Sequence, residues 1–372
     1  MEKLNKSLEN EVLDEVKEDR MLQCITDKLK WEAIVGKFCK ADIYYTFSYL
    51  QAFKLHGDGE PILFFYSDDD VQAINAVMLR DISLDKNFKN EICENKFYDL
   101  ATPYGYGGWL FEGKINDNSL EKLKQQYVAY CEQNNIISEF VRFHPLLNNA
   151  SAVNNIYEIV DLGNTIAIDL TNKEDIWDNV SSKNRNVIRK AIKSGVIIGK
   201  SQDDLIIDSF KTIYNATMDR DNADDYYYFG NAFYESIKEG LKNNFTIYYA
   251  KMDNKIIGAA IILFYGEYVH YHLSGAIKEY MSFAPMNLLL YKVACDFSEL
   301  GYKKFHLGGG VGSDSNSGLY KFKENFNKNG VNHFSIGKKI FIQTKYDELI
   351  ERRKNDGKNF DENSSFFPKY RG

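Results

Sequence analysis

A chain of 372 residues that is 44% hydrophobic and 15% aromatic is long enough for two ordinary domains and too rich in Tyr and Phe to be disordered. Its net charge of −7 argues against a non-specific nucleic-acid binder, and so against DNA as a partner, although a local basic patch stays open. The five cysteines, Cys24, Cys39, Cys93, Cys131 and Cys295, form no CxxC pair, so neither a zinc site nor a disulfide framework is written here; they read as small core hydrophobes in a reducing compartment.

Residues 1–20 are a charged, acidic N-terminal extension without the apolar stretch of a signal peptide, and no apolar run approaches a membrane span. The expectation is a cytoplasmic protein with no transmembrane segment. From Met21 the pattern becomes globular. A helix is expected over 26–38, with Leu29, Ile34 and Val35 on one side, and a second over 42–56. Apolar runs at 61–67 and 73–82, separated by an acidic turn, read as a strand pair. A loop over 97–113 precedes a helix at 119–135, with Leu120, Leu123, Tyr127 and Tyr130 on one side, and then a strand ending at Pro145.

A second cycle of the same kind opens at 164–170. It continues as a helix over 176–195, a strand to 200, and a helical region over 204–244. Strands at 245–253 and 255–266 meet at the turn Asp253-Asn254, and a third strand covers 267–275. A helix over 285–301, a strand ending in Gly308–Gly310, a helix over 317–326 and a hairpin over 331–344 complete the unit. The last twenty residues are polar and expected to fray. The fold class is therefore α/β (α+β). Its parts are the extension 1–20, a first domain over 21–162, a second over 163–347 and a polar tail over 348–372.

The stretch "HLGGGVGSDSNSGLYKFKENF", residues 306–326, is the least ordinary. Strand, glycine turn and helix is an arrangement that holds anionic groups. Neither the G-x-x-x-x-G-K-[ST] nor the G-x-G-x-x-G register is present, so a nucleotide loop is a poor reading. The stretch instead resembles the strand-to-last-helix junction of the FemAB-like branch of the GNAT acyltransferases, through "LGGG" and "GLYKFKENF". "KNRNVIRKAIKSGV" at 183–196, "YHLSGA" at 271–276 and "APMNLLLYKVACDFSELG" at 284–301 match the same family, in order. "DLATPYGYGG" and "EFVRFHPLLNN" look like the first domain of its polysaccharide-cluster members. The resemblance runs from about residue 25 to 345.

That resemblance implies two GNAT-like domains in tandem, each a mixed, largely antiparallel sheet flanked by helices. It also implies a site where two central strands splay around the donor. The acceptor brings the amine nucleophile, so the enzyme orients, accepts a proton, stabilises an oxyanion and protonates a leaving group. The absence of a G-x-S-x-G nucleophile motif agrees. Carried onto this chain, the family pattern selects Tyr320 as general acid. It places Gly308, Gly309 and Gly310 against the donor, and prefers Lys323 over Lys321 as the cleft-facing cation. His270 and His272 alternate along a strand and are either cleft-lining proton acceptors or satisfied sheet histidines.

The donor segment "KEYMSFAPMN" lacks the glycines of a usual acetyl-CoA loop. Ser282, Met286 and Asn287 are still donor candidates at a helix opened by Pro285, which also reads as an ordinary proline-started helix. The departure keeps two donors in view, an acyl-CoA and an aminoacyl-tRNA, with no metal expected. For the acceptor, Arg185 and Arg189 lie with Lys193 on one stripe opposite Ile188, Ala191 and Ile192. They read as solvated surface or as contacts to the phosphates of a nucleotide-linked or lipid-linked acceptor. Tyr104, Tyr106 and Trp109 in "PYGYGGW" suggest a sugar-stacking loop, with Arg220 beside Tyr226–Tyr228 as a further candidate; His144 reads as structural.

Three functions follow from these signals. The first is N-acyl transfer from an acyl-CoA to the amino group of an amino sugar or related cell-envelope or surface-glycan precursor, small or lipid-linked. The second is aminoacyl-tRNA-dependent transfer to a peptidoglycan or nucleotide-sugar precursor. The third is a non-catalytic binding module of the same fold.

Overall fold

The structure, a computed structural model, describes residues 21–89, 91–310, 312, 314–355 and 360–372, so the expected N-terminal extension lies outside the described residues. The chain divides into two compact units, one up to Asp161 together with Ser335–Gly372, the other Leu162–Phe334. The expected boundary at 347 and the free tail from 348 are therefore not what the structure has.

In the first unit β1 (Leu22–Ile25) leads to α1 (Lys28–Val35) and α2 (Phe47–His56). Asp27 caps α1 by accepting from the Lys30 amide at 2.9 Å, and Gly57, at φ +106°, lets the chain leave α2 through the left-handed region. β2 (Glu60–Ser67) and β3 (Val71–Asp81) form the expected hairpin, its acidic turn held by Asp68 Oδ1, which accepts from the Asp70 and Val71 amides. The segment expected as loop carries two short strands, β4 (Tyr98–Ala101) and β5 (Leu110–Gly113), each paired with β3. α3 (Asp117–Gln133) and β6 (Ile136–Arg142) follow, and β6 pairs with β4 in parallel.

The second unit begins within β7 (Glu158–Asp169). The helix expected over 176–195 is two, α4 (Lys173–Asn179) and α5 (Ser182–Lys193), because Ser181 caps a new start by accepting from the Asn184 amide. β8 (Ile197–Ser201) precedes α6 (Asp204–Arg220) and α7 (Asn231–Gly240), again two helices where one region was expected. β9 (Phe245–Met252), β10 (Lys255–Tyr265) and β11 (Tyr268–Ala276) follow, with Asp253 and Asn254 at φ +49° and +64° making the predicted turn. α8 (Pro285–Glu299), β12 (Lys304–Gly308) and α9 (Gly318–Glu324) complete it.

The strand order in this unit is β7–β12–β11–β10–β9–β8, antiparallel throughout except for β11 with β12. α8 lies on one face, where Leu289, Leu290, Val293 and Phe297 pack against Ile166, Ile168, Ile262, Val269, Phe305 and Leu307.

The expected closing hairpin is instead one strand, β13 (Val331–Ile340), whose later part pairs with β6. α10 (Gln343–Asn355) follows, and the last described residues, 360–372, are packed rather than frayed at Tyr370 and Arg371. Tyr370 is fully buried, its hydroxyl donating to Asp99 Oδ2 at 2.8 Å and meeting Ser138 Oγ at 2.8 Å. Arg371 grips Asp99 at 2.6 Å and Asp85 at 2.8 Å, and Arg80 reaches Asp99 from the other side at 2.7 Å. Smaller expectations also fail. Leu29 and Ile192 are exposed rather than core-facing, as are Cys39 and Cys93.

Buried between α3 and the first unit's sheet, Glu139 accepts from Tyr157 at 2.7 Å, Tyr127 at 2.8 Å and Asn75 at 3.0 Å. Burial outweighs these donors and raises its carboxyl from 4.5 to about 7. The folded state thus holds this proton more tightly than the unfolded chain. The associated stability is complete below about pH 4.5 and fades as pH rises through about 7, by ~3 kcal/mol. Urea unfolding at pH 5 and pH 8 should show that loss in the wild type and a flatter dependence in Glu139→Gln. Equal dependence in both proteins would remove Glu139 as its source.

Candidate active site

β11 and β12 pair in parallel over three residues only, Tyr268–His270 against Lys304–His306. Beyond that rung β11 follows β10 to Ala276, while β12 follows β7 to Gly308. The two central strands therefore part. A β-bulge adds to the opening: between Ile261 and Ile262 the register skips His272.

Each of the three glycines that close β12 is required by the chain itself. Gly308 has φ +79°, a conformation that side chains disfavour. A Cβ on Gly309 would stand 3.0 Å from the Asn164 carbonyl oxygen, and one on Gly310 would stand 2.2 Å from Ser317 Oγ. Ser317 in turn caps α9, accepting from the Tyr320 amide at 3.2 Å.

α9 carries Lys323 inward. Its side chain is 8% exposed, and Nζ donates to the Gly309 carbonyl at 2.7 Å. Burial alone pushes the amine down to about 8, with no acid among the described residues acting to offset it. Tyr320 is buried in the α8 core, its hydroxyl engaged with Asn164 and Ser315. Burial, then Glu324, raises the phenol, so it is protonated at neutral pH.

On the sheet, His306 stands beside His270 on the last shared rung, with ring centroids 5.7 Å apart. His272 is pushed down to about 3, by burial and then by His270. So low a value makes it too weak a base to take an amine proton near pH 7 in this state. Thr165, on β7 beside Gly309, has a buried hydroxyl with no hydrogen-bond partner among the described residues.

At the start of α8, Ala284 adopts φ +55°, the left-handed conformation that a glycine would ordinarily supply. Pro285 follows at the first helical position, so the amides of the first turn lack partners within the helix. The side chains of Met286 and Asn287 turn inward, toward Gly258 and Asn184 respectively, which leaves their main-chain amides as the donor candidates. Ser282 is exposed, and its carbonyl accepts from Lys190 at 2.9 Å.

The acceptor candidates separate. Trp109 is fully buried in the first unit's core, its indole N–H donating to Tyr157 at 3.1 Å. It cannot serve as a stacking platform. Tyr104 and Tyr106 are half-buried on the same loop, and Tyr106 packs on Tyr44 and His144, with burial raising its phenol to about 12. His144 is held by Asp42 at 2.7 Å. Arg185 caps the end of α4 through the Trp177 and Asp178 carbonyls, and Arg189 lies over the Trp177 ring at 5.1 Å. Arg220 donates to the Ala276 carbonyl at 3.1 Å, at the end of β11.

Residues 182–324, from the start of α5 to the end of α9, match the acetyltransferase (GNAT) domain family. FemX superposes with a TM-score of 0.65 over 88% of this chain and 100% of its own, at 14% identity. The chain thus carries a GNAT-type acyltransferase domain and shares the fold of FemX. The structure of L-PGS from Bacillus licheniformis is also similar, with a TM-score of 0.53 over 84% of this chain and 92% of its own at 15% identity. A protein of unknown function from Bacteroides thetaiotaomicron gives a TM-score of 0.55, covering 86% of this chain and 100% of its own at 11% identity. No curated protein matches by sequence. Among the described residues no helix is long and apolar enough to cross a membrane.

Three residues near this GNAT site escaped the sequence reading: His306, Thr165 and Asn184. Only strand register or helix contacts single them out.

Proposed function

We propose that this acyltransferase moves an acyl group from an acyl-CoA to the amino group of an amino sugar or related cell-envelope or surface-glycan precursor in the cytoplasm, with the unit Leu162–Phe334 as the catalytic one. The observation that carries the reading is the parting of β11 and β12 beside the buried, uncompensated amine of Lys323. A cation held without a counter-ion is a place for negative charge to develop. In this reading the acceptor's neutral amine attacks the thioester carbon, and the oxygen becomes an oxyanion that faces Lys323. The C–S bond then breaks, the thiolate takes the Tyr320 hydroxyl proton, and the amine loses its own proton to water.

Tyr320→Phe keeps the buried ring and deletes only the hydroxyl. It should lower kcat by ~10²-fold or more with little change in melting temperature. A fully active Tyr320→Phe enzyme would make Tyr320 a packing residue.

A second reading replaces the thioester by an aminoacyl-tRNA ester, the donor of FemAB-like relatives, and the FemX-like fold favours keeping it. Incubating the protein with acyl-CoAs and UDP-amino sugars, while following thiol release and product mass, distinguishes the two. Product from acyl-CoA supports the first reading. Product only with charged tRNA, abolished by ribonuclease, supports the second.

A further inference from the structure

Helices α5, α8 and α9 meet at one buried asparagine. Asn184, in the first turn of α5, is 3% exposed. Its Nδ2 donates to the Asn325 main-chain oxygen at 3.4 Å. That carbonyl can only accept, which fixes the amide's orientation and leaves Oδ1 to accept from Asn287 Nδ2 at 2.7 Å. Asn325 closes α9 two residues after Lys323 and is held on every side. Its main-chain oxygen also accepts from the Ser181 amide at 2.9 Å, its Oδ1 accepts from Ser181 Oγ at 2.7 Å, and its Nδ2 donates to the Lys321 carbonyl at 2.6 Å. Asn287 lies in the first turn of α8.

We infer that Asn184 is a positioning residue for acyl transfer, setting the first turn of α8 against the last turn of α9 and so fixing Lys323 relative to the donor end of α8. The inference rests on the proposed roles of Lys323 and of the α8 amides. Its physical basis is independent of them. α9 is a seven-residue helix, too short to hold its own geometry, so its end must be fastened by neighbours. A buried site chosen for packing would carry an apolar side chain. An asparagine there is stable only because both ends of its amide are satisfied, and both partners lie on other helices.

The test compares Asn184→Ala, Asn287→Ala and the double variant by kcat, KM and melting temperature. Lys323 is titrated in each by NMR of 13Cε-labelled lysine, with its signal assigned by its loss in Lys323→Met. Asn184→Ala should stay folded, lose roughly 10²-fold in kcat and leave the acceptor KM unchanged. Water reaching a loosened α9 should move the Lys323 titration from about 8 toward 10.5. Asn287→Ala should lose about tenfold in kcat, and the double variant should be no worse than Asn184→Ala, because both break one relay. Wild-type kcat with an unmoved Lys323 titration in Asn184→Ala overturns the inference, as do fully additive losses. If Asn184→Ala does not fold, Asn287→Ala decides, since it leaves the α5–α9 clamp intact; wild-type kcat there is equally fatal. An active Lys323→Met enzyme would remove the proposed function, whereas the Lys323 titration would still decide whether Asn184 positions α9.

Discussion

Lys323→Met is expected to be more stable than the wild type and nearly inactive. The amine is buried beside the Gly309 carbonyl and is pushed down from 10.5 to about 8. At neutral pH both folded and unfolded chains carry the proton, so the folded state bears the whole burial penalty, ~3 kcal/mol. Methionine fills a similar volume without the charge. It forfeits one hydrogen bond, worth about 1 kcal/mol, so the net gain should be ~2 kcal/mol. The sign has a second consequence. As pH rises from about 8 to 10.5 the wild type sheds its penalty, so the gap between the two proteins should close over that window. Activity should move the other way, falling by ~10²–10³-fold, the usual effect of removing a group aimed at developing charge. A residue that weakens the fold and is needed for turnover has a functional reason to be where it is. The exposed Lys321 offers the control: Lys321→Met should change neither property much.

Asp99→Asn should have the largest effect on folding. The carboxylate is wholly buried and receives Arg371, Arg80 and the Tyr370 hydroxyl. Burial would raise it, but the two guanidiniums hold it below the usual carboxylate value. The amide leaves both guanidiniums without their charge partner, which typically costs 3–5 kcal/mol, or ~4 kcal/mol here. Removing residues 368–372 should be comparably damaging, because Tyr370 and Arg371 leave together. Since the folded carboxyl is held down, the wild-type stability from this cluster is present above about pH 4 and drains away as pH falls. Chemical denaturation of Asp99→Asn with near wild-type stability would make the cluster a surface ornament of the tail.

That cluster also shows where a sequence stops being legible. Asp99 and Arg371 are 272 residues apart, and neither looks unusual among its neighbours, so the polar tail reads as free. Gly337 invites a hairpin, yet it lies within β13 because a Cβ there would come within 2.7 Å of the Phe143 ring. It is a glycine for packing, not for turning. Trp109 sits among glycines and tyrosines that suggest a binding loop, and only the burial of its ring against Tyr127 shows it to be core. The order of strands and helices was legible because short apolar runs mark strands such as β10 and the 3.6-residue spacing of Leu123, Tyr127 and Cys131 marks α3. The family motif singles out Tyr320 and Lys323, whose roles in acyl transfer are proposals. His306 was not legible, since its place beside His270 depends on the register of two strands separated by α8.

We propose above all that the Lys323 ammonium, beside the parting of β11 and β12, stabilises the negative charge of acyl transfer. The most direct measurement is the pH dependence of kcat/KM for acyl-CoA turnover, wild type against Lys323→Met, from pH 6 to 10. The claim predicts that the wild type loses activity on the alkaline side with a midpoint near the value of about 8 set by burial. It also predicts that the variant's small residual rate lacks that limb. A Lys323→Met enzyme with the wild-type rate, or with the same alkaline limb, would contradict it.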